Sequence, residues 1–118
     1  MLDVFCGVTY AQNIVGGRWK LLILYKLEGK TLRFSELKRT IPNITERMLT
    51  LQLKELENDG LIIRNVLPEV PVRVEYKLSP ISIPLSPIWR GLESWGENHR
   101  KIYSNLTKEG VSTPADAS

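Results

Sequence analysis

The chain has 118 residues, of which 42% are hydrophobic and 25% charged, and its formal net charge is +3. This is the composition of an ordinary globular protein, and the length suits one domain with a single core. Leu21 to Tyr25 is the longest apolar run, far too short to span a bilayer. Cys6 is the only cysteine, which excludes an intramolecular disulfide. Met1 to Val8 contains Asp3 and lacks the basic start of a signal peptide, so we expect a cytoplasmic protein without a membrane partner.

The charges are distributed unevenly along the chain. Residues 18–54 carry nine basic and three acidic residues, a net charge of +6, which leaves −3 for the remainder. A basic half within a nearly neutral chain is the electrostatic pattern expected of a protein that binds nucleic acid.

Two helices are predicted within the first 27 residues. Val4 to Val15 places apolar side chains on one face, and Gly16 with Gly17 interrupts that helix. Trp19 to Leu27 is apolar on most sides, which predicts a helix central to the core, and we expect Trp19 to be a core residue. Gly29 and Lys30 end this helix, and Thr31 to Arg33 is expected to form a short strand.

A helix-turn-helix is predicted over residues 34–59. Phe34 to Thr40 forms its first helix, and Pro42 with Asn43 makes the turn. Thr45 is a good N-cap for the second helix, because its hydroxyl can accept a hydrogen bond from a backbone N–H of the first turn. Gly60 is expected to end that helix, since glycine readily adopts the left-handed conformation of a helix C-terminus.

The second helix has two contrasting faces. Leu49, Leu53 and Leu56 recur at helical spacing and predict a buried stripe. The opposite side carries Arg47, Thr50, Lys54 and Asn58, which suits a recognition helix in the major groove of DNA. An ordinary helical hairpin with a solvated, charged face explains this stretch equally well when it is taken alone.

The next stretch favours the first interpretation. Ile62 to Leu67 is an apolar run of strand length, and Val72 to Leu78 alternates apolar with charged residues, so residues 61–79 predict a β-hairpin. Pro68 and Pro71 lie at its tip, where no ladder hydrogen bond is lost. A helix-turn-helix followed by a hairpin is a winged helix, and we therefore expect an α+β, mainly helical fold. Arg73 near the tip is the natural phosphate contact of the wing.

A long apolar helix is predicted at the end of the domain, over residues 84–106, with Gly96 as a candidate kink. Its apolar residues exceed what a domain of this size can bury, so we expect a homodimer in which the N- and C-terminal helices form the interface. The candidate interface residues are Val8, Ala11, Leu85, Ile88, Trp89, Leu92, Trp95, Ile102 and Tyr103. Residues 1–107 are thus predicted to form one domain, and residues 108–118 a flexible tail.

Four motifs together resemble the HxlR-type family of bacterial winged-helix transcription regulators. They are GG-x-W, RF-x-EL, ML-x-x-x-L-x-x-LE-x-x-GLI-x-R and P-x-x-P-V-x-VEY-x-L, and the resemblance covers about Cys6 to Trp95. It implies a homodimer that binds double-stranded operator DNA and regulates transcription. The family usually has Thr-Pro-x-Gly after the wing, where this chain has Ser79-Pro80-Ile81-Ser82. The candidate DNA contacts are Arg33, Ser35, Thr45, Glu46, Arg47, Thr50, Lys54 and Arg73.

Catalytic and metal-binding patterns are missing from the sequence. It contains one histidine, His99, and neither a metal-ligand spacing nor a glycine-rich phosphate loop. Glu55 and Glu57 are most simply part of a solvated helix face. We therefore expect a protein that is not an enzyme and needs no cofactor. The alternative to a DNA-binding regulator is a winged-helix module that binds other proteins without specific DNA binding.

Cys6 has two interpretations. It is either a small buried residue that packs the first helix, or a thiol that senses an oxidant or a quinone. The resemblance supports the second, because some HxlR-type regulators carry a cysteine near the N-terminus that responds to such compounds. Asp3 is the nearest charge and has the wrong sign to lower the pKa of the thiol.

Overall fold

The computed structural model describes residues 6–108, which form five helices, a three-stranded sheet and one 3₁₀ helix. The α+β, mainly helical winged-helix class is confirmed. In chain order the elements are α1 (Gly7–Val15), α2 (Lys20–Leu27), β1 (Leu32–Arg33), α3 (Phe34–Thr40), α4 (Glu46–Asn58), β2 (Ile62–Leu67), β3 (Arg73–Leu78), the 3₁₀ helix (Pro80–Leu85) and α5 (Ser86–Lys108). The chain divides at residue 86 into a compact winged-helix unit and a second unit that consists of the rest of α5.

The core of the winged-helix unit is built from the apolar sides of α2, α3 and α4. Each of these side chains is 0–2% exposed: Ile23, Leu24, Leu27, Leu37, Leu49, Leu53 and Leu56. The predicted stripe on α4 is therefore confirmed. Burying a leucine side chain contributes about 1.5–3 kcal/mol, so this stripe fixes which face of α4 points outward.

Local signals set the start of α4 as the sequence predicts. Asn43 has a φ of 67°, a left-handed conformation that asparagine tolerates better than most residues, and it reverses the chain after α3. The Thr45 hydroxyl accepts a hydrogen bond from the backbone N–H of Met48 at 3.0 Å. Ile44 and Leu49, on either side of this cap, are both buried. The cap and the pair of buried residues match a hydrophobic staple.

The end of α4 is also as predicted. Gly60 has a φ of 78°. Its N–H donates to the Glu57 carbonyl at 3.0 Å, and the N–H of Leu61 donates to the Leu56 carbonyl at 2.9 Å. These two bonds form a Schellman motif, in which the residue after the helix needs a positive φ. A side chain at Gly60 would therefore be strained.

The sheet has the order β1-β3-β2, and both pairings are antiparallel. Leu32 and Arg64 lie opposite Tyr76 from the two neighbouring strands. The predicted alternation holds at the base of the hairpin, where Tyr76 is buried, but fails at the tip. Val72 precedes β3 and is 65% exposed, because only the base of the hairpin reaches the core.

A first correction concerns the two N-terminal helices. Helix α1 begins at Gly7, and Val4 lies outside the described residues. Trp19 is the N-cap of α2 and is only half-buried. The Arg18 guanidinium stacks 4.7 Å from its ring centroid, a cation–π contact that keeps the indole at the surface.

A second correction concerns Glu55, which the sequence places on a solvated face. Its Oε1 lies 2.7 Å from Nζ of Lys20, and the Lys20 side chain is 11% exposed. This ion pair joins α2 to α4. It also removes Lys20 from the cations of the basic half that are available to a partner.

The start of the last helix differs from the prediction at Pro84. Pro80–Leu85 forms a 3₁₀ helix, and α5 begins at Ser86. The Ser82 hydroxyl is buried and donates to the Ser79 carbonyl at 2.8 Å. The Ser82 N–H donates to the same carbonyl at 3.1 Å, so the hydroxyl adds to the backbone hydrogen bond at the start of this 3₁₀ helix.

Helix α5 runs without a break through Gly96 and reaches Lys108. Residues 109–118 of the predicted tail lie outside the described residues. The sequence places the end of this helix two residues early, at Leu106.

Candidate nucleic-acid interface

The outward face of α4 carries the central candidate residues. Arg47, Thr50 and Lys54 are all exposed, opposite the buried leucine stripe. Within residues 6–108, neither Arg47 nor Lys54 forms an ion pair, so both cations are available to an anionic partner. The structure therefore places these three predicted residues on one surface.

The candidates in the first turn of α4 have different roles. Thr45 uses its hydroxyl as the helix cap, which leaves its methyl group to contact a partner. Glu46 is exposed beside it. An acidic residue in the first turn stabilises the helix through its dipole, and this role needs no DNA contact.

Arg33 and Ser35 lie where β1 meets α3. The backbone N–H of Arg33 donates to Oε1 of Glu36 at 2.8 Å, which helps to cap α3. The Arg33 side chain stays exposed, and its Nε lies 3.8 Å from the same oxygen. Ser35 is exposed in the next turn. Both remain candidates for phosphate contacts, with Arg33 weakened by its acidic neighbour.

Arg73 begins β3 and belongs to the wing. Its Nη2 lies 2.9 Å from Oε2 of Glu75, two residues along the strand. Its Nε is buried and has no hydrogen-bond partner among the described residues. The guanidinium is therefore half-exposed and already partly neutralised, which limits what it can contribute to an anionic partner.

The candidate dimer surface on α5 is an apolar stripe. Ile88, Leu92, Trp95 and Ile102 are 50–64% exposed. With His99 and Leu106 they follow the alternating spacing of four and three residues that is typical of a coiled-coil seam. Of the other predicted interface residues on this side, Leu85 is half-buried and Trp89 is buried, so these two offer less surface.

His99 lies within a run of aromatic rings on α5. Its ring centroid is 4.8 Å from that of Trp95 and 4.4 Å from that of Tyr103. The histidine is thus packed between two aromatic residues on one side of the helix.

Helix α1 presents Cys6, Val8 and Ala11 quite differently from a core helix. None of the residues of α1 is buried, and Val8 is 70% exposed. Cys6 is exposed and is the N-cap of the helix. The prediction of a buried, packing cysteine therefore does not hold within this chain.

The thiol of Cys6 also differs from the prediction in its chemistry. Hydrogen bonding from the Thr9 hydroxyl lowers the pKa of Cys6, and the backbone N–H groups of Thr9 and Val8 add to the effect. Donors at a helix N-terminus stabilise a thiolate. The expectation that nothing local lowers the pKa considered only charges, and it missed the donors of Thr9 and Val8 at the start of α1.

A cleft that the sequence does not predict lies between α4 and the sheet. Its volume is about 340 Å³, and its lining residues are Phe34, Thr50, Leu53, Lys54, Glu57, Arg64 and Tyr76. Arg64 shares a sheet face with buried Ile62, two residues earlier. Arg64 is nevertheless exposed, and a cation that shares a strand face with a buried isoleucine was the available signal.

Other kinds of site were sought across residues 6–108. This part of the chain holds no group of three or more histidine, cysteine or acidic residues that could bind a metal ion. None of its helices is long and apolar enough to cross a membrane.

Helices α3 and α4, joined by a tight turn, and the β2–β3 hairpin that follows α4 define a winged helix-turn-helix protein. A model of the HxlR-like helix-turn-helix family matches residues 14–104, and the chain belongs to this family. It is 50% identical over 103 residues to an HTH-type transcriptional regulator of Methanothermobacter thermautotrophicus, covering 87% of this chain and 79% of the relative. These relatives are transcriptional regulators, which supports the prediction that the chain is not an enzyme.

Solved structures give the same result. The reduced form of the redox regulator HypR matches with a TM-score of 0.78 and 40% identity, covering 85% of this chain and 99% of that one. Its oxidised form matches with a TM-score of 0.76 and 43% identity over 79% and 96% of the two chains. Diamide-treated YodB of Bacillus subtilis matches with a TM-score of 0.67 and 35% identity over 81% and 96%. The chain is an HTH transcriptional regulator of the HxlR type.

Proposed function

We propose that the chain binds operator DNA as a homodimer, with α4 in the major groove and the β2–β3 hairpin on the phosphate backbone. The observation that carries the proposal is the exposed face of Arg47, Thr50 and Lys54, whose two cations lack ion pairs within the described chain. Arginine can donate two hydrogen bonds to guanine, threonine contacts bases or phosphates, and lysine binds phosphate.

A gel-shift titration across salt concentrations tests DNA binding. Each phosphate neutralised by a cation releases counterions, so the affinity for DNA should fall steeply and linearly on logarithmic axes as salt rises. Competition with unrelated DNA in the same experiment should leave a site-specific complex. A protein-interaction module would give weak binding without sequence preference, and that outcome would refute operator binding.

The dimer is proposed from the apolar stripe on α5. A run of half-exposed leucine, isoleucine and tryptophan side chains is unfavourable in water, at about 25 cal/mol for each Å² of apolar surface. A second copy presents the same stripe, and a two-fold axis lets the two pack against each other. Val8 and Ala11 of α1 are proposed to extend this interface.

Cys6 is proposed to be the sensor of an oxidant or a quinone. Its exposure and lowered pKa favour the thiolate, which is the reactive form. HypR is a redox regulator whose oxidised and reduced forms have been solved, and YodB has been solved after diamide treatment. Because Cys6 is the only cysteine, a disulfide must join two chains, with diamide accepting the two electrons and two protons that the pair of thiols loses.

We expect diamide to lower the operator affinity of the wild type and to leave Cys6→Ser unaffected. Non-reducing electrophoresis should show a covalent dimer, and intact-mass measurement after a quinone should show one adduct per chain. A disulfide at a dimer interface can tilt one subunit against the other and change the spacing of the two recognition helices. Equal DNA binding by reduced and fully modified protein would refute the switch even if Cys6 reacts.

The matched control for this experiment is Thr9→Val, which keeps the cysteine and removes the hydroxyl donor. Because the pKa of Cys6 is lowered in the wild type, its thiolate persists to lower pH. As the pH falls, alkylation of the wild type by iodoacetamide should therefore decline at a lower pH than alkylation of Thr9→Val. Identical pH profiles would mean that the cap does not activate the thiol.

A further inference from the structure

The cleft between α4 and the sheet has the features of a ligand site. Its volume of about 340 Å³ lies at the lower end of the range for pockets that take small organic molecules. Phe34, Leu53 and Tyr76 supply apolar walls. The cleft is formed wholly by α3, α4 and the sheet, within the winged-helix unit.

Tyr76 is the most informative of the lining residues. Tyr76 as a whole is 9% exposed, and its hydroxyl has no hydrogen-bond partner among the described residues. The hydroxyl is not among the buried polar atoms that lack a partner, so it is accessible from the cleft. It is therefore free to donate a hydrogen bond to water or to a ligand in the cleft.

The charges of the cleft identify the kind of acceptor. Lys54 and Arg64 line it from the helix and from the strand, and Glu57 is the only acidic lining residue. None of the three forms an ion pair within residues 6–108. The net charge of the lining is therefore positive, and two cationic residues and a tyrosine line the same space. A carboxylate or a similar anionic group satisfies all three.

We propose that this cleft binds a small organic anion with an apolar body, and that its occupation competes with DNA. The anionic group accepts hydrogen bonds from Tyr76, Lys54 and Arg64, and the apolar body packs against Phe34 and Leu53. Thr50 and Lys54 belong both to the cleft and to the face of α4 proposed to contact DNA, so a bound anion neutralises Lys54 and occupies its approach to phosphate. The ligand site stands on the cleft itself, whereas the competition rests on the proposed function.

1-Naphthoate is a suitable probe, with 1-naphthamide as its neutral counterpart of nearly the same shape. Titration of the ¹⁵N-labelled full chain, followed by NMR, should shift the amide signals of Thr50, Lys54 and Arg64 together. Arg64→Gln and Tyr76→Phe should each weaken naphthoate binding about tenfold, and 1-naphthamide should bind at least tenfold more weakly than naphthoate. Lys77→Gln is the matched control, because Lys77 lies next to Tyr76 on β3 but on the opposite face of the sheet. It should leave the affinity within twofold.

The results separate the two parts of the proposal. Naphthoate binding that is scattered over the surface, or unchanged in Arg64→Gln, overturns the ligand site. Binding in the cleft with no loss of operator affinity overturns the competition, provided that Arg47→Ala still weakens operator binding. A chain that binds naphthoate in the cleft but does not bind DNA supports the ligand site and refutes the proposed function. If Arg64→Gln weakens DNA binding and naphthoate does not bind, the cleft holds a DNA phosphate and the ligand proposal fails.

Discussion

Arg47→Ala is expected to weaken specific operator binding by about 1–3 kcal/mol and to relax sequence preference at one base pair of each half-site. Arg47 lies in the first turn of α4, where recognition helices approach base edges, and it is exposed without an ion pair in the described chain. The measurement is a gel-shift or fluorescence-anisotropy titration on a DNA site selected from random sequences, compared with single-base variants of that site.

Arg73→Ala and Lys101→Ala calibrate this result. Arg73 is placed for phosphate, so its loss should weaken binding to all sequences alike and reduce the salt slope. The effect should be small, because Glu75 already partly neutralises Arg73. Lys101 is exposed on α5, away from α4 in the chain, and its replacement should change little. If Arg47→Ala keeps full affinity and preference, α4 is not the recognition helix.

Leu92→Asp combined with Trp95→Asp is expected to convert the homodimer to monomers. Both side chains are more than half exposed in the single chain, so the double substitution should leave the winged-helix unit folded. Two carboxylates on each stripe would face two more across a two-fold axis, where they lose hydration and repel one another. Sedimentation at micromolar concentration should show a fall from about twice 13.5 kDa to about that mass.

Val70→Asp is the matched control for the dimer. Val70 is fully exposed at the tip of the hairpin, so it tests whether an added charge alone alters association. Circular dichroism should show the same helix content in both variants. An intact wild type that sediments as a monomer would remove the dimer altogether. It would also remove the expected spacing of about 34–36 Å between half-sites.

Helix α4 was predictable because its boundaries depend on local chemistry. Thr45 caps its own helix three residues away, and Gly60 supplies the positive φ that ends it. The leucines of the stripe recur at the period of a helix, so they share one face, and that face is buried whatever apolar element packs against it. Such signals are contained within about fifteen residues, so they can be recognised before any tertiary contact is known.

The features that escaped prediction depend on contacts between distant residues or on one-residue geometry. Lys20 and Glu55 are far apart in sequence, so no local pattern predicts their ion pair. The cleft brings together side chains of α3, α4, β2 and β3, so it exists only after the sheet has packed. To predict the lowered pKa of Cys6, one must know that α1 begins at Gly7. Helix boundaries are the least certain part of a sequence-based prediction.

Ser79 ties together the two parts of the molecule that are proposed to touch DNA. Its hydroxyl donates to the Gly60 carbonyl at 2.5 Å, and its N–H donates to the Leu61 carbonyl at 3.0 Å. The first residue after the hairpin is thereby bonded to the end of α4, at a position that is itself buried. Helix α4 and the β2–β3 hairpin should consequently move as one rigid body. A signal that changes DNA binding through subunit geometry must then move both elements together, so both should leave the DNA in a single step.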